Sequence, residues 1–204
     1  MMTAPRAHLT HTAILVHSVD RVAEFFAKKG FRLNPPEVFE NEGTREIYVG
    51  DFDRESSKVL LVEPHGLGPY QRPLQKRGPG LHHLGIDVEN LVEYCTGLGR
   101  VGWLLHSYSL ISASKFQTAY LVRPGVPLML EVRGARAKKY PPSLLLGLRI
   151  PQVAKHRAMV KAIGLENASI SASSSGSMIL ETVRGRLSLK DVLASGKRRR
   201  PGIT

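Results

Sequence analysis

The sequence predicts an α+β protein of paired βαβββ modules followed by a truncated third, βαββ, module. Three observations lead there. A strand-like segment recurs at His11, His83 and Leu145, and a glycine closes the helix behind each: His11 to Gly30, His83 to Gly102 and Leu145 to Gly164 all span 19 positions. Extended segments follow each glycine. Hydrophobic residues make up 42% of the 204 residues, ample for a core.

The first module opens with a strand over His11–Val16, and Ser18 or Asp20 can cap a helix from Arg21 to Lys29 that Gly30 ends before Phe31. The second opens with a strand over His83–Val88, then a helix from Asn90 to about Leu98, closed by Gly102-Trp103. In the third, a strand covers Leu145–Ile150, Pro151 opens a helix through Ile163, and Gly164-Leu165 closes it. The internal register also agrees. Val16, Val88 and Ile150 hold one repeat position, and Val19, Leu91 and Val153 another. Glycine suits the left-handed exit of a helix, and the apolar residue after it folds back on that helix. Three such matches in register argue for duplication.

Further strands are expected over Thr44–Val49 and Lys58–Val62 in the first module, the latter ended by Pro64. The second should place them over Thr118–Val122 and Leu128–Val132, about a Pro124-Gly125 turn. The third has only Ser169–Ser173 and Met178–Val183, around Ser174-Ser175-Gly176. Gly30 to Leu60 is 30 positions and Gly102 to Glu131 is 29, but Gly164 to Glu181 is 17, so the third copy is shortened. The expected boundaries are a domain over 8–133 (modules 8–64 and 80–133), a linker 134–142, a third module 143–185 and a basic tail 186–204.

Composition narrows the function. The net charge of +12 and a pI near 10.1 favour anionic partners. Part of that charge is local, in Lys197-Arg198-Arg199-Arg200. No alternation of aromatic and basic residues offers bases a stacking platform, so nucleic acid ranks behind a small anionic substrate. No apolar run approaches the roughly 20 residues of a membrane span. The N-terminus lacks an apolar signal segment, and the lone Cys95 reads as a small hydrophobe, so a cytoplasmic protein is expected. Gly97 to Gly102 matches a dinucleotide fingerprint by letters only, because it follows a helix instead of a strand.

Strand alternation locates the chemistry. His11, Ala13 and Leu15 share a face. So do His83, Gly85 and Asp87, with His82 pointing away, and so do Met129, Glu131 and Arg133. Two modules related by a pseudo-twofold axis would bring His11, His83 and Glu131 together. Two histidines and a carboxylate suit a divalent metal (Co, Mn, Ni, Zn or Fe(II)) with positions left for water or substrate.

Gln75-Lys76-Arg77-Gly78-Pro79-Gly80-Leu81-His82-His83 resembles the segment that leads into the second metal ligand of methylmalonyl-CoA epimerases. These are members of the vicinal oxygen chelate superfamily, with glyoxalase I and extradiol dioxygenases. The resemblance covers about residues 8–133. It implies a U-shaped mixed sheet around a divalent metal, with His11, His83 and Glu131 as ligands. It implies Glu46 as a catalytic acid/base and Glu131 as a second one, acting α to a thioester carbonyl. An acyl-CoA substrate, with Arg72, Lys76 and Arg77 as contacts, and a homodimer are implied too. One residue departs from the pattern: the remaining family ligand, four residues before a proline, falls on Leu60, which cannot bind metal. A three-ligand Fe(II) dioxygenase and a non-enzymatic small-molecule binder are therefore the alternatives. In the third copy Leu145 replaces the histidine and Glu181 is expected to sit as Glu131 does, so this module is expected to pack structurally.

Overall fold

The structure, a computed structural model, describes residues 6–66, 68–109, 117–135, 139–151, 153–174 and 176–196. The first module runs β1 (His8–Leu15), α1 (Val19–Lys28), β2 (Glu37–Phe39), β3 (Thr44–Val49) and β4 (Lys58–Pro64). A short helix α2 (Gln71–Arg77) leads into the second: β5 (Gly80–Val88), α3 (Leu91–Arg100), β6 (Leu104–Leu105), β7 (Thr118–Val122) and β8 (Met129–Gly134). The eight strands form one mixed sheet, in the order β2-β3-β4-β1-β5-β8-β7-β6. The order is a palindrome of the two modules, as duplication requires.

The local reasons are legible in the residues. In α1, Val19, Val22, Ala23 and Phe26 are buried at helical spacing, and Gly30, with φ +79°, lets the chain leave the helix. The Phe31 amide then donates to the Phe26 carbonyl at 3.1 Å, as Trp103 does to Leu98 after Gly102. Asn90 caps α3, its Oδ1 accepting from the Glu93 amide at 3.1 Å. Phe26 and Trp103, both fully buried, each contribute roughly 1.5–3 kcal/mol by leaving water.

The symmetry axis is visible in the pairing of β1 with β5. His11 lies opposite Gly85, Thr12 opposite Leu84 and Ala13 opposite His83. Exchanging β1 for β5 maps this set onto itself, so the pseudo-twofold passes through the Thr12–Leu84 pair. One face of the sheet packs on α1 and α3 in the main core, which includes Ile14, Leu61, Leu84 and Ile86. On the other face lies a smaller cluster of Ala13, Leu15, Leu60, Val62, Tyr70 and Leu74.

The third copy differs from its expected form. It comprises β9 (Leu145–Ile150), a 3-10 turn (Val153–His156), α4 (Arg157–Lys161), β10 (Ser169–Ala172), β11 (Ile179–Thr182), β12 (Gly185–Ser188) and α5 (Leu189–Ser195). Residues 186–195, expected in a basic tail, thus form a strand and a helix. Leu187, Leu189 and Val192 are buried there and supply an apolar face that the charge count concealed. Lys197–Arg200 lie outside the described residues. The unit forms its own sheet, β10-β9-β11-β12, and shares the main core through Leu148, Val160 and Ile163. The Tyr94 hydroxyl donates to the Ile163 carbonyl at 2.7 Å. No helix among the described residues is long and apolar enough to cross a membrane.

Candidate metal centre

His11 on β1, His83 on β5 and Glu131 on β8 converge as the repeat requires. His11 Nε2 and His83 Nε2 are 3.1 Å apart, and Glu131 Oε2 lies 3.0 Å from His83 Nε2 and 3.9 Å from His11 Nε2. Neighbouring ligands of one ion with bonds of about 2.1 Å sit roughly 3 Å apart. The donor chemistry fits as well. Burial, then the neighbouring His83, lowers His11 to about 4, so its ring is neutral at pH 7. Burial would raise Glu131, but the hydrogen bond to His83 and the charges of His83, His11 and Arg133 bring it down to about 2. A neutral imidazole and an ionised carboxylate are what a divalent ion requires.

The other nitrogens of both rings are held. Thr10 Oγ1 lies 3.2 Å from His11 Nδ1, and His82 Nδ1 lies 2.8 Å from His83 Nδ1. Such contacts fix ring orientation and leave each Nε2 directed at the site. They arise from two irregularities in the central ladder. The register shifts between Leu9 and His11 on β1, where Thr10 is the extra residue. It shifts again between Ala13 and Ile14, where the extra residue is His82 on β5. A bulge suspends strict alternation. This corrects the expectation that His82 points away: its ring lies 5.1 Å from that of His83 and 4.9 Å from that of Tyr70. Sequence reasoning missed Thr10 and His82 as supports, although both immediately precede a ligand and hold the same repeat position.

Gly85 is required by its neighbour. A Cβ there would collide with the His11 imidazole, which lies directly over the backbone of β5.

Leu60 occupies the register place predicted for the fourth ligand. Ala13 pairs with Leu60 in the parallel β1–β4 ladder as Gly85 pairs with Glu131 in β5–β8. Leu60 is buried in the apolar cluster and brings no donor. Glu63 does not replace it, because its Oε2 accepts from the Val19 amide at 2.8 Å at the start of α1.

Glu46 on β3 is buried, while its neighbour Arg45 pairs with Asp20 at 2.8 Å. The Thr44 hydroxyl donates to Glu46 Oε1 at 2.8 Å. Burial pushes the carboxyl up to about 7 despite that hydrogen bond, and it feels the charges of His83 and Glu131. A carboxyl in this range exchanges a proton readily at neutral pH.

A cavity of about 440 Å³ opens over His11 and Glu131, with Lys58, Asp87, Arg133 and Lys139 among its lining residues. Arg77 lines a different cavity, between the end of α2 and the third unit, and Arg72 and Lys76 line neither. The third unit also departs from expectation at Glu181. The parallel partner of Gly147 is Ser169, so Ser169, not Glu181, holds the register place of Glu131. Glu181 lies on the antiparallel side and pairs with Arg149 at 2.7 Å and Arg186 at 3.2 Å. The physical reason is that this unit has lost the strands that separate a module's helix from its last strand.

Residues 10–109 match the family model of the Glyoxalase/Bleomycin resistance protein/Dioxygenase superfamily, and this segment is a domain of that superfamily. The solved structures similar to the chain include a hypothetical protein from Bacillus halodurans C-125, at 25% identity and TM-score 0.51, over 65% of this chain and 99% of that one. The methylmalonyl-CoA epimerase of Mycobacterium tuberculosis matches at 22% identity and TM-score 0.49, over 66% and 94%. That of Streptomyces coelicolor, in complex with 2-nitronate-propionyl-CoA, matches at 23% identity and TM-score 0.47, over 63% and 98%. No curated protein matches the sequence.

Proposed function

We propose that the protein holds one divalent metal ion on His11, His83 and Glu131 and exchanges a proton α to the carbonyl of an anionic thioester, the chemistry of an epimerase or isomerase. The observation that carries this reading is Glu46: a buried carboxyl, raised to about 7, on the sheet face that bears the three donors. The ion would supply positive charge at the carbonyl oxygen. Glu46 takes the α-proton as carboxylate and returns it as carboxylic acid, with the Thr44 hydroxyl holding Oε1 in place. Glu131 is assigned the ligand role and, for inversion at the α-carbon, the acid/base on the face opposite Glu46.

Solvent-deuterium exchange at the α-carbon of methylmalonyl-CoA tests the reading. The metal-loaded protein should exchange, and Glu46→Gln should slow exchange by about 10²–10⁴-fold with metal uptake unchanged. No exchange in a metal-loaded sample rejects it. Leu60 favours a second reading, an Fe(II)-dependent dioxygenase with three protein ligands. Oxygen consumption that appears with Fe(II) but not with Co(II) would select it.

A further inference from the structure

Residues 139–142, just before the third unit, cross the mouth of the metal cavity. Their course is fixed at both ends. On the second-module side, the Tyr140 hydroxyl donates to Asp87 Oδ2 at 3.0 Å, and its ring stacks on His8 with centroids 3.4 Å apart. Asp87 is itself buried and receives the Arg133 guanidinium through two nitrogens, at 2.9 and 3.2 Å. On the first-module side, the Ser56 hydroxyl donates to the Pro141 carbonyl at 2.8 Å, and the Ser56 amide donates to the Pro142 carbonyl at 2.9 Å. Lys139, exposed and next to the Tyr140 anchor, thereby lines the cavity from one side, and Lys58 of β4, its ammonium 4.8 Å from the centroid of the Phe52 ring, lines it too. The lining carboxylates are already engaged. Asp87 is paired with Arg133, Glu131 belongs to the metal set, and Glu55 Oε2 accepts from the Asp51 amide at 2.8 Å. With a divalent ion in place, the mouth carries an excess of positive charge.

We propose that Lys139 and Lys58 form an anion-binding subsite for a carboxylate of the ligand, and that the strap 139–142 is a specificity element supplied from outside the two metal-bearing modules. The proposal rests on the metal-site reading above for the position of the ligand. Phosphate would meet the same lysines, but a carboxylate within a few bonds of the chelating group fits a cavity of about 440 Å³.

The test compares two probes in calorimetric titrations of the Co(II)-loaded protein: acetohydroxamate, which can only chelate, and malonohydroxamate, which adds one carboxylate. Wild type should prefer the carboxylated probe by about tenfold, the scale of a charge-assisted contact. Lys139→Ala and Lys58→Ala should each remove most of that preference, leaving acetohydroxamate affinity and Co(II) affinity unchanged. Lys139→Arg should keep it. Tyr140→Phe, which frees the strap from Asp87, should weaken it about threefold or more. A wild type without preference, or a Lys139→Ala protein that retains all of it, overturns the subsite. Co(II) uptake is read in the same experiment, so failure of the metal reading is separable. In a protein that takes up no Co(II), malonate binding that Lys139→Ala abolishes supports the subsite, and malonate binding that is absent or unaltered overturns it.

Discussion

The two modules share a backbone plan and divide the chemistry between them. Ala13 with Leu60 and Gly85 with Glu131 are the same ladder position in two copies, yet one pair is apolar and the other carries a metal ligand. The first module instead contributes Glu46, buried and raised to about 7, where the second has Thr118 at the matching repeat position. Duplication supplies the paired histidines and their bulges. Divergence turns one copy toward proton transfer and the other toward holding charge.

That division can be broken from either side. The largest effect is expected in the second module. His83→Ala and Glu131→Ala should each cost more than about 100-fold in metal affinity by calorimetry, beyond what loss of an outer contact costs. Gly85→Ala should follow, because its methyl group displaces the His11 ring. Thermal unfolding should show a loss of about 1–3 kcal/mol, together with weaker metal binding. Leu60→Gln would make the modules alike. It should strengthen metal binding while destabilising the metal-free protein by about 1–3 kcal/mol, since the amide enters an apolar cluster. An unchanged metal affinity would show that Leu60 does not limit the site. Thr10→Val, which deletes one orienting contact, should weaken metal binding by roughly 10-fold and leave the fold intact.

Glu46 gives the first module a pH signature of its own. Its folded pKa is raised from 4.5 to about 7, so its contribution to stability is fully present below pH 4.5 and is lost as pH rises through 7. The loss is on the order of 3 kcal/mol. Glu46→Gln should flatten that part of the metal-free stability profile in chemical denaturation between pH 5 and 8. An unaltered slope would show that Glu46 titrates normally.

Much of this was legible in the sequence because it depends on spacing. The three glycines, the paired histidines and Glu131 follow from repeat register and alternation alone. What escaped depends on broken register or on distant contacts. Bulges at Thr10 and His82 leave no mark in a pattern of alternation, so His82 was assigned the wrong face. β2 and β6, three and two residues long, are too short to show a period. The basic count of the last twenty residues hid the apolar positions Leu187, Leu189 and Val192, which become a face only when the third unit packs. Tyr140 and Lys139 reach the cavity through a linker whose path no local signal encodes.

One divalent ion is proposed to be held by His11, His83 and Glu131. Elemental analysis after Co(II) reconstitution and dialysis measures it most directly. One equivalent of metal per chain in the wild type, falling to near zero in His83→Ala with the fold retained by circular dichroism, is the predicted result. A wild type that retains no metal, or a His83→Ala protein that retains as much as wild type, would contradict it.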